Sequence, residues 1–167
     1  MEPKNQKKTA KKDQSQKVHQ DPKVDFDIPI KERTDYTDKQ IEILKHMVNK
    51  DTKCVYLDGL WGTGKTALAV LSALKNLKNK KSDGILFIRN PVESSTTGKI
   101  GFLKGEADAK MAPYNEILFE KLDELVSKGM AEKLINEGWI ECIPLGFIRG
   151  RNWNAKTIIV DEASSMT

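Results

Sequence analysis

The residues Val55-Tyr56-Leu57-Asp58-Gly59-Leu60-Trp61-Gly62-Thr63-Gly64-Lys65-Thr66-Ala67-Leu68-Ala69-Val70 decide how the rest of the chain is read. An apolar run ends at Gly59, and Gly-x-x-x-x-Gly-Lys-Thr follows. Ala67, Leu68, Val70, Leu71 and Leu74 then recur at helical spacing. Strand, phosphate-cradling loop and helix N-terminus thus come in the order a P-loop requires. Glycines let backbone N–H groups turn inward without Cβ clashes, and the helix dipole adds partial positive charge at the same place. Gly59, Leu60, Trp61, Gly62, Thr63, Gly64, Lys65 and Thr66 are the expected nucleotide-binding residues. Lys65 is expected to reach the β- and γ-phosphates of ATP, and the Thr66 hydroxyl to sit on Mg²⁺. The bland alternative is a glycine-rich turn that happens to precede a helix.

Length and composition bound the setting. The 167 residues suit one domain of ordinary size. No apolar stretch approaches the ~20 residues of a membrane span, and no hydrophobic signal core follows Met1. The expectation is a soluble, cytoplasmic protein without a membrane partner. Cys54 and Cys142 lie in strand-like apolar runs, which favours two buried, reduced thiols over a disulfide. No metal-ligand spacing accompanies them.

Charge divides the chain in two. Met1–Val24 holds seven Lys and three acids, so its surplus equals the net charge of +4 carried by the whole chain. Residues 1–25 are polar and are expected to form a disordered basic tail, because they have too little apolar surface to offset ordering entropy. Such a tail either touches nucleic acid through its lysines or is simply solvated. Residues 26–167 are expected to be the P-loop domain.

Within that domain, Thr37 and Gln40 fit a capping box for a helix with Ile41, Leu44 and Val48 on its buried face. Gln40 has two readings. It closes the helix N-terminus, or its amide pairs with the donor and acceptor of an adenine edge. Gly84–Ile88 reads as a strand buried on both faces, as in a parallel sheet. It runs into Arg89, at the sheet edge where doubly wound folds bind ligands. Arg89 is therefore either a site residue or half of a surface salt bridge. Pro113-Tyr114-Asn115 is read as opening a helix with Ile117, Leu118, Leu122 and Leu125, and Met130–Ile135 as a short helix. Trp139–Leu145 and Thr157–Val160 read as strands.

The last of these runs ends in Asp161-Glu162. A P-loop ATPase needs such an acidic partner: Asp161 for the hydrated Mg²⁺ and Glu162 as the base that deprotonates the attacking water. The second carboxylate suits hydrolysis better than phosphoryl transfer to a small acceptor, which disfavours a kinase. Lys65 and Glu162 are the expected catalytic residues, and Thr66 and Asp161 the expected metal ligands. Arg149 and Arg151 flank Gly150 and read either as phosphate contacts or as an exposed charged loop.

Taken together these residues resemble the PhoH-like family, P-loop ATPases related to superfamily 1 helicases. Beyond the P-loop, the resemblance rests on Arg89…Pro91-Val92-Glu93, Gly101-Phe102-Leu103 with Gly105, and Lys110 with Pro113-Tyr114. It also rests on Phe147…Arg149-Gly150-Arg151 and Asp161-Glu162. It implies an α/β, RecA-like P-loop NTPase fold, a parallel sheet with helices on both faces, and ATP hydrolysis. In some relatives it implies RNA unwinding, and it tilts Gln40 toward adenine recognition. Lys104 stands where the family usually has Pro, and Ser164-Ser165 where Gln-Asn commonly follows.

Family members continue past the Walker B acids with a further strand that lies between the Walker A and Walker B strands. Set against them, the chain is expected to be truncated after Asp161-Glu162, its fold incomplete at the C-terminus. The Val55–Leu57 and Ile158–Val160 strands are then expected to face each other across a gap, with backbone groups unpaired at ~1–3 kcal/mol each. Either they close up directly, or a partner chain completes the sheet, or the reading frame is split. Related ATPases often place the site between subunits, so a homo-oligomer is a further expectation. The alternative to an RNA-coupled ATPase is a nucleotide-binding module without independent activity.

Overall fold

Alternation of aliphatic side chains builds the centre of the fold. The computed structural model describes residues 27–31, 33–89, 107–150 and 153–165, with 107–115 described as backbone. The expected tail at 1–25 and the Pro91–Glu93 and Gly101–Gly105 segments lie outside the described residues. Four helices and three strands follow in the order α1 (Asp38–Met47), α2 (Lys65–Lys78), β1 (Gly84–Arg89), α3 (Ala107–Leu125), α4 (Lys128–Asn136), β2 (Ile140–Pro144) and β3 (Lys156–Asp161). The sheet is parallel, in the order β2-β1-β3.

Strand β1 is central and buried on both faces, as a parallel strand with two neighbours must be. Ile85 and Phe87 face one way, joined by Ile140 of β2 and Ile159 of β3. Against them pack Leu71, Leu74 and Leu77 of α2, Leu118 and Leu122 of α3, and Leu134 of α4. Leu86 and Ile88 face the other way with Ile143, covered by Leu145, Ile148 and Trp153 from the β2–β3 connection. All four helices contribute to the first face. Among the described residues the second face is therefore covered by a 3-10 turn, Leu145–Phe147, and the loop after it, where the resemblance implies helices on both. Ile158 and Val160 of β3, in register with Leu86 and Ile88, remain 38% and 46% exposed there.

The chain before α1 is tied to this core. Ile28 is fully buried, Lys78 Nζ donates to its carbonyl at 3.0 Å, and Lys31 N donates to Leu125 O at 2.6 Å. Helix α1 starts at the expected capping box: Gln40 N donates to Thr37 Oγ1 and Thr37 N to Gln40 Oε1. Its apolar stripe is only partly covered, with Ile41 40% exposed.

Three expectations need correction. Val55–Leu57 forms no strand, and residues 53–58 make no backbone hydrogen bond to another described residue. Of the alternatives, direct closure onto β3 is not adopted, and the backbone of the segment is left unpaired among the described residues, as the gap implied. Val55 and Tyr56 are consequently 38% and 78% exposed. Next, α3 begins at Ala107, six residues before Pro113. The proline lies inside the helix, at the cost of one i→i−4 bond, rather than opening it.

Cys54 is the third correction. It is exposed like Val55 and Tyr56, whereas Cys142 is partly buried on β2, and the two form no disulfide. Burial pushes the Cys142 thiol from its ordinary 9.0 up to about 11, opposed more weakly by the positive charge of Arg89. An alkylating reagent at about pH 8 is expected to modify Cys54 in the folded protein and Cys142 only after unfolding, read by mass spectrometry. In the unfolded chain Cys142 ionises first, so its contribution to stability is complete below pH 9.0 and is lost as the pH rises to about 11. Urea midpoints across that window check the sign.

Candidate nucleotide-binding site

The loop between the unpaired segment and α2 is shaped by glycine. Gly62 and Gly64 sit at φ +75° and +81°, in the left-handed region that L side chains rarely adopt. Gly64 is the N-cap of α2 and supplies no side chain to satisfy the first helical N–H groups. Those donors and the positive end of the helix dipole therefore converge where the loop meets the helix. The loop is also braced from within. Thr63 Oγ1 donates to Leu60 O at 2.8 Å, and Gly59 N donates to Asp58 Oδ1 at 2.8 Å. Lys65 bends back so that Nζ donates to Gly59 O and Leu60 O, both at 2.8 Å. Leu60 and Trp61 project outward, 83% and 97% exposed.

Parallel pairing brings the second half of the site to the loop. The register sets Arg89 beside Asp161 at the C-terminal ends of β1 and β3. Thr66 Oγ1 donates to Asp161 Oδ1 at 3.0 Å, and Arg89 Nη1 donates to Asp161 Oδ2 at 2.8 Å. The Arg89 and Asp161 side chains are only 17% and 12% exposed, so this ion pair is not a surface one. Glu162 follows with φ +53°, rare for a residue with a Cβ, as the chain turns into a 3-10 segment at Ala163–Ser165. Thr66, Asp161, Arg89 and the loop are thus assembled at one sheet edge.

Gln40 serves both the helix and the loop. Its Oε1 accepts from Thr37 N at 3.0 Å, and its Nε2 donates to Thr63 O at 3.2 Å. A Cβ on Gly64 would lie 3.5 Å from that Nε2. The brace from α1 to the loop was not foreseeable from sequence, since 23 residues separate its partners. Arg149 is exposed in the turn after Phe147, and Arg151 lies outside the described residues. An open cleft of about 230 Å³ lies between α1 and α2, lined by Tyr36, Ile41, Lys45, Leu71 and Lys75 among others. No residue of 59–66 lines it, so it is separate from the loop.

The donor set fits Mg²⁺ and nucleotide phosphates. Among the described residues no three His, Cys, Asp or Glu side chains gather as an all-protein metal site. Mg²⁺ characteristically takes one or two carboxylates and completes its shell with water and phosphate oxygens. A hydroxyl and a carboxylate 3.0 Å apart beside a glycine cradle are oxygen donors of that kind.

A family model described as PhoH-like protein matches residues 30–167. The chain belongs to the PhoH-like family. It is similar to the PhoH-like protein of Bacillus subtilis, 36% identical over 118 residues, which is 71% of this chain and 36% of that protein. The PhoH-like protein of Synechocystis is 35% identical over 132 residues, 78% of this chain and 39% of its own length. That of Mycobacterium tuberculosis is 37% identical over 106 residues, 64% and 30% respectively. The chain spans 30% to 39% of the length of these three relatives. The parallel α/β sheet and the glycine loop before α2 are consistent with the P-loop fold of that family. Among the described residues no helix is long and apolar enough to cross a membrane.

Proposed function

We propose that the chain binds ATP at Gly59–Thr66 and hydrolyses it with Mg²⁺, and that turnover is coupled to RNA or another single-stranded nucleic acid in the cytoplasm. The observation that carries this reading is the 3.0 Å hydrogen bond from Thr66 Oγ1 to Asp161 Oδ1, which joins the loop to the acidic tip of β3. Thr66 and Asp161 would hold Mg²⁺, which would neutralise phosphate charge. Backbone N–H groups of the loop and the N-terminus of α2 bind the phosphates, and Lys65 exchanges its two carbonyl partners for phosphate oxygens. Glu162 takes the proton of the attacking water. For Gln40 to read adenine, its amide must release Thr37 N and Thr63 O. Until then it holds the loop to α1.

Phosphate release with and without single-stranded RNA tests the reading. The expected result is ATP turnover that rises when RNA is added. Nucleotide binding with no turnover in either condition would refute hydrolysis by this chain alone. That outcome matches a second reading, a nucleotide-binding module that needs a partner chain, or a second copy of itself, to complete the sheet. The outer edge of β3, unpaired among the described residues, and the exposure of Ile158, Val160 and Tyr56 favour it.

A further inference from the structure

We infer that Arg89 is a positioning residue that competes with the divalent cation for Asp161 and so makes metal binding wait for the nucleotide. The inference rests on the proposed nucleotide site. Both oxygens of Asp161 are engaged by protein donors: Oδ1 by the Thr66 hydroxyl and Oδ2 by the Arg89 guanidinium. Each oxygen has a second lone pair, so a cation that binds Asp161 shares the carboxylate with these donors, and the Thr66 hydroxyl can rotate its proton away and itself become a ligand. Arg89 cannot. A guanidinium carries only donors and never loses its charge, so its contact with Oδ2 must be broken or shared with a second positive ion.

Breaking it is unfavourable because both side chains lie in a poorly hydrated place, 17% and 12% exposed. A buried cation that loses its counter-ion needs another anion. The phosphates expected at the adjoining loop are such a source. Metal and nucleotide then bind together: the phosphates offer Arg89 a new partner while Mg²⁺ takes Asp161. The reverse order sets Arg89 and the metal, two positive charges, against one carboxylate with no further anion to balance them. Arg89 has the reach for this because it ends β1 opposite Asp161 in the parallel register, at the edge where the loop also lies.

The test is Mn²⁺ affinity, measured without nucleotide by electron paramagnetic resonance, for the wild type, Arg89→Gln and Arg89→Lys. Glutamine keeps a donor but removes the charge, and affinity is expected to rise roughly tenfold or more, while lysine restores weak wild-type binding. Unchanged or weaker Mn²⁺ binding by a folded Arg89→Gln protein would overturn the inference. A second measurement needs no variant. The side-chain ¹⁵N resonance of Arg89 in the native chain is expected to stay put with Mg²⁺ alone and to move when ATP is added with it. A shift with Mg²⁺ alone overturns the proposed order. ATP binding without metal is measured in parallel. If the wild type binds no ATP, the nucleotide-site reading fails. If it binds ATP and the Arg89 readouts do not respond, the role of Arg89 alone fails.

Discussion

Lys65→Ala is expected to lose ATP binding, with the dissociation constant rising at least about thirtyfold by titration calorimetry, since removing one partner of a desolvated charge pair costs roughly 2–5 kcal/mol. Two separate functions of Lys65 are removed at once. Its ammonium supplies the side-chain cation of the loop, where the other phosphate donors are backbone N–H groups and a helix dipole. It also ties Gly59 O and Leu60 O together, each at 2.8 Å, so the loop is held closed by the same side chain that is to meet the phosphates. The fold should survive, because Lys65 lies outside the aliphatic core built around Phe87, Leu71 and Leu74. A melting temperature close to wild type, together with lost binding, is the expected pair of results. Retained nucleotide affinity would move the phosphate site away from this loop.

Glu162→Gln is expected to bind ATP within about threefold of wild type and to hydrolyse it about 10²- to 10⁴-fold more slowly, the contribution usual for a general base. Glutamine is nearly isosteric and leaves the charge of Asp161 in place, so metal and phosphate binding should be little altered. The left-handed backbone at Glu162, φ +53°, turns the chain immediately after the residue that closes β3. Single-turnover phosphate release separates slow chemistry from slow product release. Hydrolysis at the wild-type rate would remove Glu162 from the mechanism.

What could be read from sequence depended on whether local pattern or distant pairing decided each feature. Gly84–Ile88 was legible because a strand buried on both faces is continuously apolar, and Thr37 with Gln40 because a capping box is local. The loop was legible because its glycines at φ +75° and +81° meet a purely local steric need. Val55–Leu57 carries the same apolar signature as β1, yet it has no hydrogen-bonded neighbour among the described residues. Apolar pattern reports burial preference and says nothing of whether a partner edge is present. Exposure of Cys54 follows from the same cause. Pro113 was misread because proline opens helices more often than it sits inside them.

The site shows the same division. Its members were legible one by one, but not their contacts. Arg89 and Asp161 are 72 residues apart in sequence and become neighbours only through the β1–β3 register. Thr66 and Asp161 are 95 residues apart and meet because α2 packs over β3. The bond from Gln40 to Thr63 shows a side chain with two plausible tasks performing the structural one while lying beside the loop that would require the other.

The most direct measurement is a titration of ¹⁵N-labelled protein with ATP and Mg²⁺, followed through the backbone amides. The largest shifts are expected at Gly62, Gly64, Lys65 and Thr66, with a smaller set at Arg89 and Asp161. Shifts confined to the cleft between α1 and α2, around Tyr36, Ile41 and Lys75, or no shift at Gly62–Thr66 at saturating nucleotide, would contradict the assignment of this loop as the phosphate site.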